Sequence, residues 1–130
     1  MSEMKHNDIT DKIIKAFYCV YGELGYGFLE NVYENALAFE LKYIGLSVEQ
    51  QFNIDVYYKA HIVGKYKADL VVNDLIIVEL KAVEHLTNEH GNQLINYLKA
   101  TDKEVGLLLN FGKKAEICRK VYENSRKKRV

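Results

Sequence analysis

The chain has 130 residues, 48% of them hydrophobic, and its 18 Lys and Arg residues balance 18 Asp and Glu residues. This length favours one core, and the apolar stretches are too short to cross a bilayer. The first six residues lack a signal-peptide core, so we expect a cytoplasmic protein. Cys19 and Cys118 match no metal or disulfide pattern and are expected to be buried thiols. We predict a single domain with its core over residues 8–122 and a basic tail over residues 123–130.

Two amphipathic helices are predicted at the start of the chain. Apolar residues recur at steps of three and four over residues 8–24, with Asn7 or Asp8 as the helix cap. A second helix runs from residue 29 to 44 and ends at Gly45, which suits a left-handed C-terminal position. Glu30 stands at the start of this helix, where the helix dipole favours an acid whatever its function. Glu34, one turn later, is expected to be a surface charge.

The pattern then changes to strands. From Val48 the apolar period is two, which predicts a half-exposed strand to Tyr58, followed by a turn over residues 59–64. Residues 67–81 form two apolar strands joined by a turn at Asn73 and Asp74. Almost no polar side chains flank this turn, so both strands are predicted to be buried on both faces. Charged residues within them therefore need partners, metal or a chemical role.

The spacing of the acids in these strands predicts their turn. Glu79 and Lys81 are two residues apart and leave the same face. A two-residue loop would place Asp69 opposite Val78, whereas an offset of one residue brings Asp69 into register with Glu79. We therefore predict a bulge or a three-residue connection centred near Asp74. The alternative, a surface hairpin with an exposed ladder of ion pairs, disagrees with the apolar flanks.

The remaining elements complete an α/β pattern. Residues 88–99 are predicted to form a helix, and residues 105–109 a buried strand. Residues 115–122 fit both helical and strand spacing, and we favour a strand. The order αα-βββ-α-β(β) predicts an α/β sandwich around a mixed sheet.

Residues from two strands and one helix resemble the PD-(D/E)XK nuclease superfamily. Asp69, Glu79 and Lys81 match its Asp…Glu-x-Lys order, and Gln93 and Tyr97 match its Gln-x-x-x-Tyr helix, in the branch similar to RecB-type and lambda-type exonuclease domains. The resemblance implies a restriction-endonuclease-like α/β sandwich, with a mixed central sheet flanked by helices. Its core order is αβββαβ, with an extra N-terminal helix.

An upstream motif narrows the resemblance. The run Gly27-Phe28-Leu29-Glu30-Asn31-Val32-Tyr33 is similar to the pattern that names the small GxxExxY proteins, a bacterial and archaeal group within that superfamily. Ala68 stands where the superfamily name has proline, at a position that shapes the bend before the acid. The four motifs stand in the family's order, and the resemblance spans nearly the whole chain, roughly residues 8–122.

The resemblance also implies a role for each site residue. Asp69, Glu79 and the backbone carbonyl of Leu80 would hold a metal ion, and Glu30 would assist directly or through water. Lys81 would orient the nucleophile or stabilise developing charge. On the helix, Gln93 would orient the lysine or a substrate phosphate, and Tyr97 would contact phosphate or pack beneath the site.

Electrostatics favour a metal ion at this site. Three carboxylates within about 4 Å of one another, at an effective dielectric constant near 20, repel by about 4 kcal/mol per pair, and Lys81 supplies one positive charge. Either a carboxylate is protonated or a divalent cation binds, and all-oxygen ligands favour Mg²⁺ or Mn²⁺ over zinc.

The resemblance, together with the predicted metal site, implies a metal-dependent nuclease that acts on DNA in preference to RNA. Residues 65–130 hold 13 basic and 9 acidic residues, against 5 and 9 in residues 1–64, which favours phosphate binding by the second half. The basic residues there include Lys99, Lys103, Lys113, Lys114, Arg119, Lys120 and the tail. Ten tyrosines favour a homo-oligomer. The alternative is a catalytically silent nucleic-acid-binding or assembly module that keeps the nuclease fold.

Overall fold

The computed structural model describes residues 5–127. The protein has a five-stranded mixed sheet with helices on both faces. The predicted α/β sandwich is confirmed. The helices are α1 (Asn7–Leu24), α2 (Glu30–Tyr43) and α3 (Asn88–Lys99), and the strands are β1 (Val48–Tyr58), β2 (His61–Val72), β3 (Ile76–Lys81), β4 (Val105–Phe111) and β5 (Ala115–Val121). A short 3₁₀ helix, Asn124–Arg126, follows β5.

The strands lie in chain order, β1-β2-β3-β4-β5. All neighbours are antiparallel except β3 and β4, which are parallel and are joined through α3. A parallel pair needs such a crossover connection, because a tight turn cannot return the chain to the same end of the sheet. The central strands β3 and β4 are buried along nearly their whole length, as their apolar sequences predict.

Two hydrophobic cores cover the two faces of the sheet. Helices α1 and α2 pack on one face through Phe17, Tyr33 and Leu37, together with the side chains of alternate strand residues. Helix α3 packs on the other face through Leu94 and Leu98. The close approach of α3 depends on Gly106, since a Cβ there would lie 2.6 Å from Leu94 Cδ1. The spacing between α3 and the sheet is therefore set by a glycine in β4.

The helix ends follow local chemistry, with one departure from expectation. Gly45, at φ 97°, ends α2 in a Schellman motif: its N–H donates to Lys42 O and the next N–H, of Leu46, donates to Leu41 O. The predicted cap of α1 is wrong, because His6 occupies that position in a left-handed conformation and no side chain caps the helix. Helix α1 is held instead by the apolar stripe that it buries.

Two further expectations are corrected by the structure. The turn predicted over residues 59–64 is confined to Lys59 and Ala60, whose positive φ angles of 49° and 67° match a two-residue type I′ hairpin. Strand β2 therefore begins at His61, and β1 and β2 form a long two-stranded ribbon. The two cysteines are free thiols, but Cys19 is exposed on α1 and Cys118 is half-buried on β5, so neither is the buried thiol expected.

Candidate active site at the β2–β3 fork

The connection between β2 and β3 places the two acids opposite each other. Val72 pairs with Ile76, so three residues, Asn73 to Leu75, form the connection around Asp74. Asn73 and Asp74 adopt left-handed φ angles of 52° and 56°. Leu70 and Val78 form the last pair of this ladder, and Asp69 and Glu79 are the residues that come next in the same register. The predicted three-residue connection is confirmed.

Strands β2 and β3 separate where the acids stand. Their ladder covers only residues 70–72 and 76–78, after which β2 continues along β1 and β3 continues along β4. We call this divergence the fork. The acids bridge it: the Asp69 N–H donates to Glu79 Oε2 at 2.7 Å, and the Leu80 N–H donates to Asp69 Oδ2 at 2.8 Å. Each carboxylate thus replaces a backbone acceptor of the interrupted ladder.

Strands β1 and β2 also change their buried face at the fork. Leu70 and Val72 pack with α1 and α2, whereas Ala68 and Ile54 pack with α3. The switch coincides with Gln51 of β1, whose φ of 54° interrupts regular strand geometry. Ala68, where the superfamily name has proline, is fully buried in this bend.

Burial is the main electrostatic feature of the acid pair. Glu79 is only 7% exposed. This burial, reinforced by the charge of Asp69, raises the pKa of the Glu79 carboxyl from 4.5 to about 8. Burial also raises the pKa of Asp69, although the Leu80 N–H, Gln51 and the charge of Lys81 act in the opposite direction. The pair therefore favours the binding of a proton or a cation.

Lys81 lies beside this pair without a direct ion pair. It is half-buried at the end of β3, and no carboxylate of residues 5–127 lies within 4.0 Å of its ammonium group. Its charge nevertheless opposes the burial that raises the pKa of Asp69 and of Glu79. The ammonium group is thus close to the acids but is not neutralised by either of them.

Glu30 stands apart from the pair. It is the first residue of α2 and is exposed, with no hydrogen bond or ion pair to another described residue. Its charge is the weakest of the influences on the pKa of Glu79, which burial dominates. Across residues 5–127, no three His, Cys, Asp or Glu side chains converge closely enough to hold a metal ion. The structure therefore brings together two of the three predicted acids.

A second residue of α2 reaches the fork through β1. Gln51 Nε2 donates to Glu34 Oε1 at 2.7 Å and makes a longer contact of 3.4 Å with Asp69 Oδ1. Glu34 also accepts a hydrogen bond of 2.9 Å from Gln50 Nε2. Glu34 is thus a partly exposed charge, as expected, but one that is hydrogen-bonded to β1. The only sequence signal was its position one turn after Glu30.

Gln93 and Tyr97 lie on one face of α3, as their spacing predicts. Gln93 Nε2 donates to Tyr97 Oη at 3.0 Å, and Tyr97 is buried while Gln93 is exposed. Burial and then the charges of Glu79 and Asp69 raise the pKa of the Tyr97 phenol to about 12, so it stays protonated at neutral pH. His90 has a structural role, because its Nδ1 accepts the Thr87 N–H in the capping box of α3.

An open groove of about 950 Å³ extends from Gln93 and Tyr97 along α3. Its other wall is the part of the β1–β2 ribbon beyond Ala68, including Tyr57, Gly64 and Tyr66. The ribbon is not paired with β3 there, so the groove is open to solvent. We call it the ribbon groove.

One basic residue of the second half is not available to phosphate. Lys103 is 5% exposed, and its ammonium lies 2.7 Å from Asp74 Oδ1 and 3.0 Å from Asp102 Oδ1. Lys103 therefore holds the β2–β3 connection in place through Asp74. Its predicted place in the phosphate-binding basic surface is wrong. Residues 128–130 of the predicted basic tail lie outside the described residues. None of the helices within residues 5–127 has the length and apolar character of a membrane span.

Comparison with known proteins assigns a family to this fold. The family model of the PD-(D/E)XK nuclease superfamily matches residues 7–121. No curated protein and no solved structure matches the chain. The family match covers every element from α1 to β5, and the mixed sheet flanked by helices is consistent with the restriction-endonuclease-like fold. The chain therefore belongs to the PD-(D/E)XK nuclease superfamily.

Proposed function

We propose that the protein is a metal-dependent nuclease that hydrolyses phosphodiester bonds at the fork. The observation that carries the proposal is the close pairing of Asp69 and Glu79 beside Lys81. Membership of a nuclease superfamily supports the same reaction class. Nucleic acid is the proposed substrate, and we propose DNA in preference to RNA.

The residues at the fork fit a hard divalent cation. Glu79 Oε1 accepts no hydrogen bond from residues 5–127, and Asp69 Oδ1 has only the long contact with Gln51. In an extended strand the N–H and C=O of one residue point to the same side, so the Leu80 carbonyl faces the gap that its N–H faces. These three oxygens are the proposed ligands of Mg²⁺ or Mn²⁺, with Glu30 assisting through water.

The bound ion would activate a water molecule and neutralise charge on the phosphate. The protein residues then have separate tasks. Lys81, which is not consumed by an ion pair, would orient the nucleophile or stabilise negative charge on the phosphoryl oxygens. The Tyr97 phenol, protonated at neutral pH, can donate a hydrogen bond to substrate. Gln93 holds that phenol in place through its own hydrogen bond.

Two finer predictions accompany this function. A cytoplasmic location rests on the sequence alone. Self-association is supported by exposed aromatic residues of α2, where the stacked rings of Phe39 and Tyr43 lie in solvent.

The test is a cleavage assay with Lys81→Ala. Parent and variant are incubated with Mg²⁺ and with single- and double-stranded DNA and RNA. The variant should lose at least about 10²-fold in rate, the cost of removing one group that stabilises transition-state charge. It should keep the melting temperature of the parent. Lys15→Ala, at an exposed lysine of α1, is the control and should cleave normally. Cleavage by Lys81→Ala at the parental rate would refute the role of Lys81.

The second candidate function is a nucleic-acid-binding or assembly module without turnover. It is favoured by the isolation of Glu30, which leaves the described residues without a three-acid cluster. Thermal stabilisation by Mg²⁺ or Mn²⁺ together with no cleavage of any of the four substrates would support this module. Metal-dependent cleavage that is lost in Lys81→Ala would exclude it.

A further inference from the structure

The ribbon groove lies next to the fork on the side of Tyr97. Tyr97 lines the groove, and its phenol lies within the electrostatic influence of Glu79 and Asp69. A nucleic acid bound with a phosphate at the fork therefore has this groove next to it. The composition of its walls indicates which part of the strand it accepts.

Tyr66 places an aromatic ring on the ribbon wall of the groove, next to Tyr97 of α3. The rings of Tyr66 and Tyr97 lie with centroids 5.7 Å apart at 45°. Tyr97 is packed against the core, but Tyr66 is 49% exposed, so much of its ring is open to a ligand. Gly64 leaves room at this ring, because a Cβ there would lie 3.3 Å from Tyr66 Cε2. An exposed ring on a strand is the kind of surface on which an unpaired base stacks.

The opposite wall carries carboxamides. Asn92, Gln93 and Asn96 lie along α3 and line the groove. The side chains of Asn92 and Asn96 make no hydrogen bond to another described residue, and Gln93 uses only its Nε2 group, on Tyr97. Each carboxamide offers a donor and an acceptor, the combination that recognises the edge of a base.

The charge of the groove disfavours phosphate. Asp55 and Glu89 line it, and the cation among its lining residues, Lys99, lies over the Tyr122 ring. Lys65 at the neighbouring surface is 3.6 Å from Asp55, which it neutralises. Because there is no excess of positive charge, the groove favours the uncharged bases, while the backbone phosphates remain outside.

The geometry points to a subsite for unpaired nucleobases in the ribbon groove, with the Tyr66 ring as stacking platform and the α3 carboxamides as edge contacts. The substrate class is then a single strand or an unpaired strand end. This inference rests on the proposed function for the position of the phosphate, but base binding itself needs no metal and no cleavage.

The test measures binding without catalysis. Labelled strands about twelve nucleotides long, of DNA and of RNA, are titrated in EDTA by fluorescence anisotropy, beside a blunt duplex and a strand lacking its central bases. The intact strand should bind roughly tenfold or more tighter than the duplex and the abasic strand. The DNA and RNA strands separate a contribution of the sugar from that of the base.

Substitution of the stacking residue sharpens the test. Tyr66→Ala should lower the affinity for the intact strand by roughly 5- to 150-fold, the value of one base–aromatic stack. The affinity for the abasic strand should be unchanged. Tyr66→Phe keeps the ring and should bind as the parent does. Tyr18→Ala, at a similarly exposed tyrosine of α1 (52%), is the matched control and should have no effect. The double variant Asn92→Ala, Asn96→Ala alters only exposed positions of α3. It should also lower the affinity for the intact strand but not for the abasic strand.

Several results would overturn the inference. The first two are equal affinity for duplex and single strand, and an equal loss of affinity for intact and abasic strands in Tyr66→Ala. The others are unchanged affinity in both Tyr66→Ala and the double variant, and no binding of any strand by the parent. The nuclease proposal can fail separately. Base-dependent binding in EDTA with no cleavage in Mg²⁺ would refute the nuclease proposal and support the subsite. Normal cleavage without an effect of Tyr66→Ala on binding would refute the subsite and support the nuclease proposal.

Discussion

Two buried polar side chains on neighbouring strands, Asn110 of β4 and Glu79 of β3, have opposite surroundings. Asn110 is fully buried, and its carboxamide is satisfied by the N–H and C=O of Val83 and by Glu116 Oε1, at 2.9 to 3.0 Å. Glu79 accepts one N–H and faces a second carboxylate. The first arrangement stabilises the fold by itself, whereas the second is favourable only once positive charge arrives. The sheet thus holds one buried polar side chain whose hydrogen bonds are satisfied and one that still needs positive charge.

Removing the charge of Glu79 should separate activity from stability. Glu79→Gln is expected to lower cleavage by roughly 10³-fold, because it removes a proposed ligand of the ion that would stabilise transition-state charge by several kcal/mol. The same variant should be more stable than the parent near pH 9 without metal. Cleavage rates and thermal unfolding of the two proteins measure both effects. A variant that is inactive and also less stable would place Glu79 in the structural group with Asn110.

The pH dependence of stability should reveal the same carboxylate. The pKa of Glu79 is about 8 in the folded protein against 4.5 for the free side chain, so the folded state retains a proton that the unfolded state releases. The stabilisation is complete below pH 4.5 and is lost as the pH rises through 8, by an amount on the order of a few kcal/mol. Asp69, whose pKa is also raised, acts in the same direction. Urea unfolding in EDTA should show this decline, and Glu79→Gln should flatten it.

Breaking the satisfied network should cost stability. Asn110→Ala leaves the Val83 groups without their partner and is expected to reduce the free energy of unfolding by about 1–3 kcal/mol. Asn96→Ala, at an exposed carboxamide of α3, should stay within about 0.5 kcal/mol of the parent. Chemical denaturation measures both. An Asn110→Ala protein as stable as the parent would contradict the structural role.

The smallest effect is expected at Gln51, which contacts Asp69. Gln51→Ala should weaken Mg²⁺ binding by roughly tenfold, the lower end of the range for residues that orient a metal ligand. Gln50→Ala is a close control, since Gln50 bonds Glu34 and Asn35 but not Asp69. Calorimetric titration distinguishes the two. Equal losses in both variants would assign the effect to Glu34 and not to the contact with Asp69.

The sequence allowed the strand geometry of the fork to be predicted, because side-chain alternation follows directly from residue spacing. The offset that brings Asp69 into register with Glu79 was derived in this way, and the three-residue connection of the structure provides it. Local turn chemistry was predicted less well: the Lys59–Ala60 turn contains no glycine, while Gly64 lies within β2.

Contacts between distant elements lay beyond the sequence. The link from Glu34 through Gln51 to Asp69 depends on how α2 lies against β1 and on the left-handed φ of Gln51. Lys103 resembled any other lysine of a basic segment until Asp74 and Asp102 were seen beside it. The isolation of Glu30 has the same origin, because a helix residue can approach a strand only as closely as packing permits. The spacing of residues along the sequence does not give the distances between separate elements.

The three-residue connection at Asp74 makes loop length a determinant of chemistry. It is braced from both sides, by Asn73 on Ser47 and by Asp74 on Lys103. Deleting one residue there would leave Asp69, Glu79 and Lys81 in the sequence, yet it would turn the Asp69 side chain away from Glu79. A survey of relatives that counts only matching side chains would score such a protein as intact. Gap positions in this short stretch therefore carry as much information about activity as the motif letters do.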